Sequence, residues 1–171
     1  MSIVLPLLAL ALQSTTLPPH PRQAEARALL TAVQGQWRCR GEFADGRPIE
    51  ADLSFEPVFG GLGLRFTHVD RPPHSYRQES HWGFDRESGH IVSLALTGSA
   101  RAAEPSAAAY VAETWTESSL TLVHRHLLTD PFAPNRFTYT VTGGRLKKTW
   151  EVARTEGQWQ MGDYLDCDRV G

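Results

Sequence analysis

Apolar and polar positions alternate through residues 135–154, NRFTYTVTGGRLKKTWEVAR. Phe137, Tyr139 and Val141 hold one parity, and Arg136, Thr138, Thr140 and Thr142 hold the other. After Gly143-Gly144, a second run puts Leu146, Trp150 and Val152 on one face. Two period-two runs joined by a glycine pair predict a β-hairpin, because a two-residue primed turn needs positive φ, which glycine reaches at little cost. The same rhythm fills most of the chain. Ile49, Ala51, Leu53 and Phe55 alternate with Glu50, Asp52, Ser54 and Glu56, and Trp37 pairs in phase with Cys39. Leu64, Phe66 and His68 share a face, as do Gln78, Ser80, Trp82 and Phe84. Further strands are expected over residues 91–97, 110–116, 120–128 and 159–169, with residues 98–107 as the longest loop.

One helix is expected, over residues 21–35, where Leu29, Leu30 and Val33 sit among alanines and Gly35 offers a stop. About ten short strands with turn-length links and no helices between them cannot form a parallel sheet, which needs crossovers. They form a meander, and a meander of this length removes its exposed edges by closing. The expected fold is all-β: a closed antiparallel up-and-down β-barrel of about ten strands with one short N-terminal helix. An open sandwich is the alternative architecture.

Closure bears on the two cysteines. Cys39 shares a face with Trp37 and Cys167 with Leu165, so both point inward, and a closed barrel makes the first and last strands neighbours. A Cys39–Cys167 disulfide is the expectation; two separate buried thiols are the alternative.

Residues 3–12 (IVLPLLALAL) are too few to span a bilayer as a helix, and a polar, proline-rich stretch follows them. Residues 1–24 therefore read as a secretory signal with its linker, and 25–171 as the barrel domain. No Lys or Arg precedes the apolar run, and no clean small-x-small cleavage site follows it. A short apolar segment of a cytosolic protein is the competing account. The first reading implies a periplasmic or secreted protein with no stable membrane anchor, since no early cysteine is available for a lipid.

Composition narrows the partners. With 41% hydrophobic and 21% charged residues over 171 positions, the chain has ordinary globular proportions. A net charge of −2 and the lack of any Lys/Arg run exclude the electrostatic footprint of a nucleic-acid binder.

Gly35-Gln-Trp37, Asp45-Gly46, the stretch PVFGGLGL at 57–64, and Trp82-Gly-Phe-Asp85 occur in an order that resembles a bacterial group of uncharacterised lipocalin-like barrels. The likeness runs from about Leu29 to Val170 and is carried mostly by turn residues. It implies a calycin-type β-barrel and no established activity. The chain is similar, more distantly, to nitrobindin-like barrels, which share a Gly-x-Trp opening strand and would imply ferric haem held by a histidine near the C-terminus. The closing segment GDYLDCDRV at 162–170 has no histidine, so no haem is expected by that route, and no cofactor is assigned.

Candidate site residues follow from strand parity. His124 and His126 share the face of Leu120 and Leu122, and His68 follows Leu64 and Phe66. Imidazoles at such positions suit borderline metals, but no acidic ligand stands at matching spacing, so structural or rim histidines are the preferred reading. Lys148 falls in phase with Leu146 and Trp150; it is expected at a strand end, its head snorkelling to water. A buried amine that pairs with an acidic ligand or becomes reactive is the alternative. Phe55, Phe66, Tyr139 and Trp150 are in-phase aromatics that line a cavity or fill the core. Glu79 and His81 share the opposite, outward parity. The chain shows no nucleophile elbow, phosphate loop, Cys-x-x-Cys or His-Glu-x-x-His pattern. The expected function is therefore binding of a small apolar or amphipathic molecule by Phe55, Phe66, His68, His124, His126, Tyr139, Lys148 and Trp150. Enzymatic use of interior His and Lys, or a filled barrel that binds a partner, are the other classes.

Overall fold

The computed structural model of the chain describes residues 18–100, 104–125, 133–155 and 157–171. The apolar segment at 3–12 and His126 lie outside the described residues. Helix α1 (Gln23–Val33) precedes ten strands: β1 (Gly35–Phe43), β2 (Pro48–Val58), β3 (Gly63–Asp70), β4 (Arg77–Asp85), β5 (His90–Gly98), β6 (Ser106–Ala112), β7 (Ser119–Arg125), β8 (Asn135–Thr142), β9 (Arg145–Thr155) and β10 (Gln158–Val170). Each strand pairs antiparallel with the next, and β1 pairs with β10, so the sheet is a closed ten-strand barrel. No helix among the described residues is long and apolar enough to cross a membrane.

The glycine hairpin is present: Gly143 and Gly144 join β8 to β9 with φ of 59° and 77°. The sixth strand begins earlier than residue 110. Ser106–Ala112 pairs with β5, from Thr97 opposite Ser106 to Ile91 opposite Ala112. Its run of alanines has little strand propensity, and the paired backbone of β5 recruits it nonetheless.

Period-two burial holds around the sheet, and α1 closes one end. Ala26, Leu29, Leu30 and Val33 recur at helical spacing and are buried. Trp37 lies beneath them and donates its indole N–H to the Val33 carbonyl at 2.9 Å. Arg22 anchors the helix start by donating to the carbonyls of Gly89 and Glu113, with its guanidinium over the Trp115 ring.

Cys39 and Cys167 face each other across the β1–β10 seam with Cα atoms 4.0 Å apart, and they form the expected disulfide, closing 128 residues of chain. Both are fully buried.

Candidate functional site

The interior divides into a filled half and an open half. Phe55, Phe66, Trp82 and Tyr139 come from β2, β3, β4 and β8, and their rings contact one another at centroid separations of 4.6 to 6.1 Å. All four are at most 2% exposed. Edge-to-face and tilted contacts of this kind make a rigid plug. Phe55, Phe66 and Tyr139 therefore fill the core beneath the cavity and are absent from its lining.

Beyond the plug, toward the loops β1–β2, β3–β4 and β5–β6, lies a cavity of about 500 Å³. Its apolar wall includes Phe43, Ile49, Tyr110, Phe137 and Trp150; its polar wall includes His68, Asp70, Tyr76, Asn135, Lys148 and Asp163. The gradient is visible along single strands. On β3 the inward positions run Leu64, Phe66, His68, Asp70, apolar at the plug and polar at the cavity.

Of the residues expected from sequence, His68, Lys148 and Trp150 are brought together here. His124 is buried on β7 with its ring 5.5 Å from that of Tyr110, outside the cavity lining. Among the described residues no group of His, Cys, Asp and Glu is arranged to hold a metal ion.

Lys148 departs from the sequence expectation. It is 1% exposed and does not snorkel. Trp150 and Asp163, paired across β9 and β10, stand one inward step closer to the mouth and line the same cavity. Lys148 Nζ donates to His68 Nδ1 at 3.1 Å and lies 4.7 Å from the centre of the Phe137 ring. His68 Nε2 lies 2.8 Å from Asp70 Oδ1. A carboxylate only accepts, so the neutral ring takes the Nε2–H tautomer, donates to Asp70 and leaves Nδ1 to accept from the lysine. Asp70, His68 and Lys148 thus form one buried chain. Tyr76 packs edge-on against His68 with ring centroids 5.1 Å apart and donates its hydroxyl to Gln78.

Burial governs the protonation states. It lowers His68 to about 4, the nearby Lys148 charge adding to the effect and the bond to Asp70 opposing it. Burial also lowers Lys148, against the pull of Asp163 and Asp70. Asp163 is raised by burial, with Lys148 opposing, and its Oδ1 is buried without a hydrogen-bond partner. Tyr76 is held far above the ordinary phenol range, again by burial.

Asp70, Tyr76, Asn135, Phe137 and Asp163 are site residues that the sequence reading does not single out. Asp70 shares His68's parity, and Asp163 shares that of Leu165 and Cys167, so the signal is present. What parity lacks is depth, since it tells inside from outside and not plug from cavity.

A bulge in β10 shapes the wall. The register slips between Met161 and Asp163, and Gly162 sits against Trp150 so closely that a Cβ there would lie 2.2 Å from the indole. Gly162→Ala should push Trp150 off the wall at a cost of about 1–3 kcal/mol, the range for overpacking. Urea unfolding together with the tryptophan emission spectrum would register both effects.

No protein-family model matches the chain, and no curated protein matches it. Solved structures similar to it include that of Rv2717c from M. tuberculosis, which is 16% identical, covers 90% of this chain and 100% of its own, and superposes with a TM-score of 0.55. A second, EF1p2_mFAP2b bound to DFHBI, is 11% identical over 84% of this chain and 98% of its own, with a TM-score of 0.41. The likeness to Rv2717c agrees with the topology and shows the fold, a closed ten-strand antiparallel barrel.

Proposed function

We propose that this chain is an exported member of the uncharacterised bacterial lipocalin-like barrels, and that it holds one small amphipathic molecule in the cavity beyond the aromatic plug. The observation that carries this reading is the cavity itself. Its volume of about 500 Å³ falls within the roughly 300–1,000 Å³ of small-molecule sites, and a few polar groups converge on one wall of an otherwise aromatic chamber. The apolar body of the ligand rests on Phe43, Ile49, Phe137 and Trp150, and its polar head meets Lys148, His68, Asp70 or Asp163. Phe55, Phe66 and Tyr139 act beneath it as a rigid floor. A cavity of this size counts against the filled, partner-binding barrel. The Cys39–Cys167 disulfide supports an oxidising compartment, where such bonds persist.

Native mass spectrometry of protein purified from an oxidising compartment, followed by displacement of a fluorescent probe with fatty acids, quinones and retinoids, tests the reading. Trp150→Ala should weaken the best ligand by roughly 10- to 100-fold, the loss expected for one large apolar contact. Failure of every ligand to bind below about 1 mM, equivalent to roughly 4 kcal/mol, would overturn it.

A further inference from the structure

The chain contains only two lysines, Lys147 and Lys148, adjacent in sequence and on opposite faces of β9. Lys147 is exposed, whereas Lys148 is buried against the cavity. We propose that Lys148 condenses with an aldehyde held in the cavity, forming an imine and so anchoring a carbonyl ligand covalently. The proposal rests on the binding reading above and names the ligand class of that site.

Three observations point the same way. First, the hydrogen bond of Lys148 goes to the lone pair of a neutral imidazole, and no carboxylate among the described residues forms an ion pair with it. An ammonium held in that place would be buried with no carboxylate in direct contact, Asp70 and Asp163 acting only at longer range, so desolvation is the larger effect and the neutral amine is favoured. The downward shift of Lys148 agrees with this. The face of Phe137 favours the cation, but a single ring contact is a weaker effect than desolvation. Second, Asp70 holds His68 by its Nε2–H, which fixes the ring so that Nδ1 accepts one amine hydrogen. The nitrogen lone pair is then free for a carbonyl carbon, the activation expected of a desolvated lysine. Third, Asp163 lines the same cavity with a buried, unpartnered Oδ1. Burial raises its pKa, so its carboxyl is suited to hold and give a proton.

The step balances without an oxidant or reductant. Nζ adds to the carbonyl carbon, giving a carbinolamine. Asp163 protonates the hydroxyl as the C–O bond breaks, water leaves, and Asp163 recovers a proton from nitrogen. The carbonyl oxygen departs with the two amine hydrogens, and a C=N bond remains.

The full disulfide-bonded chain is incubated at pH 7 with trans-cinnamaldehyde and sodium cyanoborohydride, which reduces an imine to a stable amine. Peptide mass mapping then compares Lys148 with Lys147 and the α-amino group. Native mass spectrometry with cinnamyl alcohol, similar in size and without the carbonyl, runs in parallel. The expected result is alkylation at Lys148 at least roughly tenfold faster than at Lys147, because a desolvated amine held by a neutral imidazole keeps its lone pair at neutral pH whereas an exposed ammonium does not. Cinnamyl alcohol should slow it, and Lys148→Met should remove it. Equal labelling of the two lysines would overturn the proposal. Retention of the alcohol with Lys148 unmodified would overturn the imine and leave the binding reading standing. Retention of neither compound would overturn the imine, and if the ligand screen above is also empty it would overturn the binding reading with it.

Discussion

A chain carrying Cys39→Ala and Cys167→Ala should lose up to about 5 kcal/mol of unfolding free energy, the value the chain-entropy relation gives for a closed loop of 128 residues. For a domain of this size that corresponds to a melting temperature lower by roughly 10–20 °C. The reason lies in the topology. Nine of the ten strand pairings join neighbours in sequence, but β1–β10 joins the two ends of the barrel. Its register runs from Gln36 opposite Val170 to Phe43 opposite Asp163, and the disulfide sits in the middle, at Cys39 opposite Cys167. In the denatured chain that covalent link brings together ends which would otherwise have to meet by diffusion. Urea titrations of oxidised protein, reduced protein and the double variant measure the effect, and intact mass before and after reduction counts the bond. A difference below about 1 kcal/mol between oxidised and reduced protein would show that seam pairing alone closes the barrel. Phe43 and Asp163 lie at the cavity end of the same seam, so the variant should also bind the cavity ligand less tightly.

Much of this seam is legible in the amino-acid sequence. Parity places Cys39 and Cys167 inward, and a closed meander makes their strands neighbours; alternation and turn residues alone suffice. The same parity marks His68, Lys148 and Trp150 as interior. It gives equal standing to Phe55, Phe66 and Tyr139, which the barrel's depth assigns to the plug. How far each inward residue stands from α1 depends on the stagger of ten strands, and one strand's alternation carries no trace of it. The environment of Lys148 is hidden for a related reason. Trp150 and Asp163 line the same cavity, and the position of Trp150 depends on a bulge at Gly162 in a different strand. His126 lies outside the described residues, and no role in the site is assigned to it.

Acid should destabilise the protein through His68. In the unfolded chain this imidazole titrates at its ordinary 6.5, and in the barrel burial holds it near 4. Between those values the unfolded chain binds a proton that the folded chain refuses, so stability rises with pH across the window and is lost as pH falls through it. Below about 4 both states are protonated and the loss is complete. The interval corresponds to about 3 kcal/mol. Asp163 acts in the opposite sense. Its folded pKa is raised, so above the ordinary carboxylate value the folded state binds the extra proton and is stabilised by acid. Lys148, lowered by burial, adds stability as pH rises toward its ordinary lysine range. The wild-type curve is thus a sum, and the difference from His68→Gln isolates one member of it. The glutamine amide can still donate to Asp70 and does not titrate, so its own cost is the same at pH 7 and pH 4. The loss of unfolding free energy between those two pH values should be smaller in His68→Gln than in wild type by about 3 kcal/mol. Parallel curves would mean that His68 accepts its proton in the folded barrel as easily as in water. That result would contradict a neutral imidazole bridging Asp70 and Lys148, and it would remove the reason for holding Lys148 as an amine.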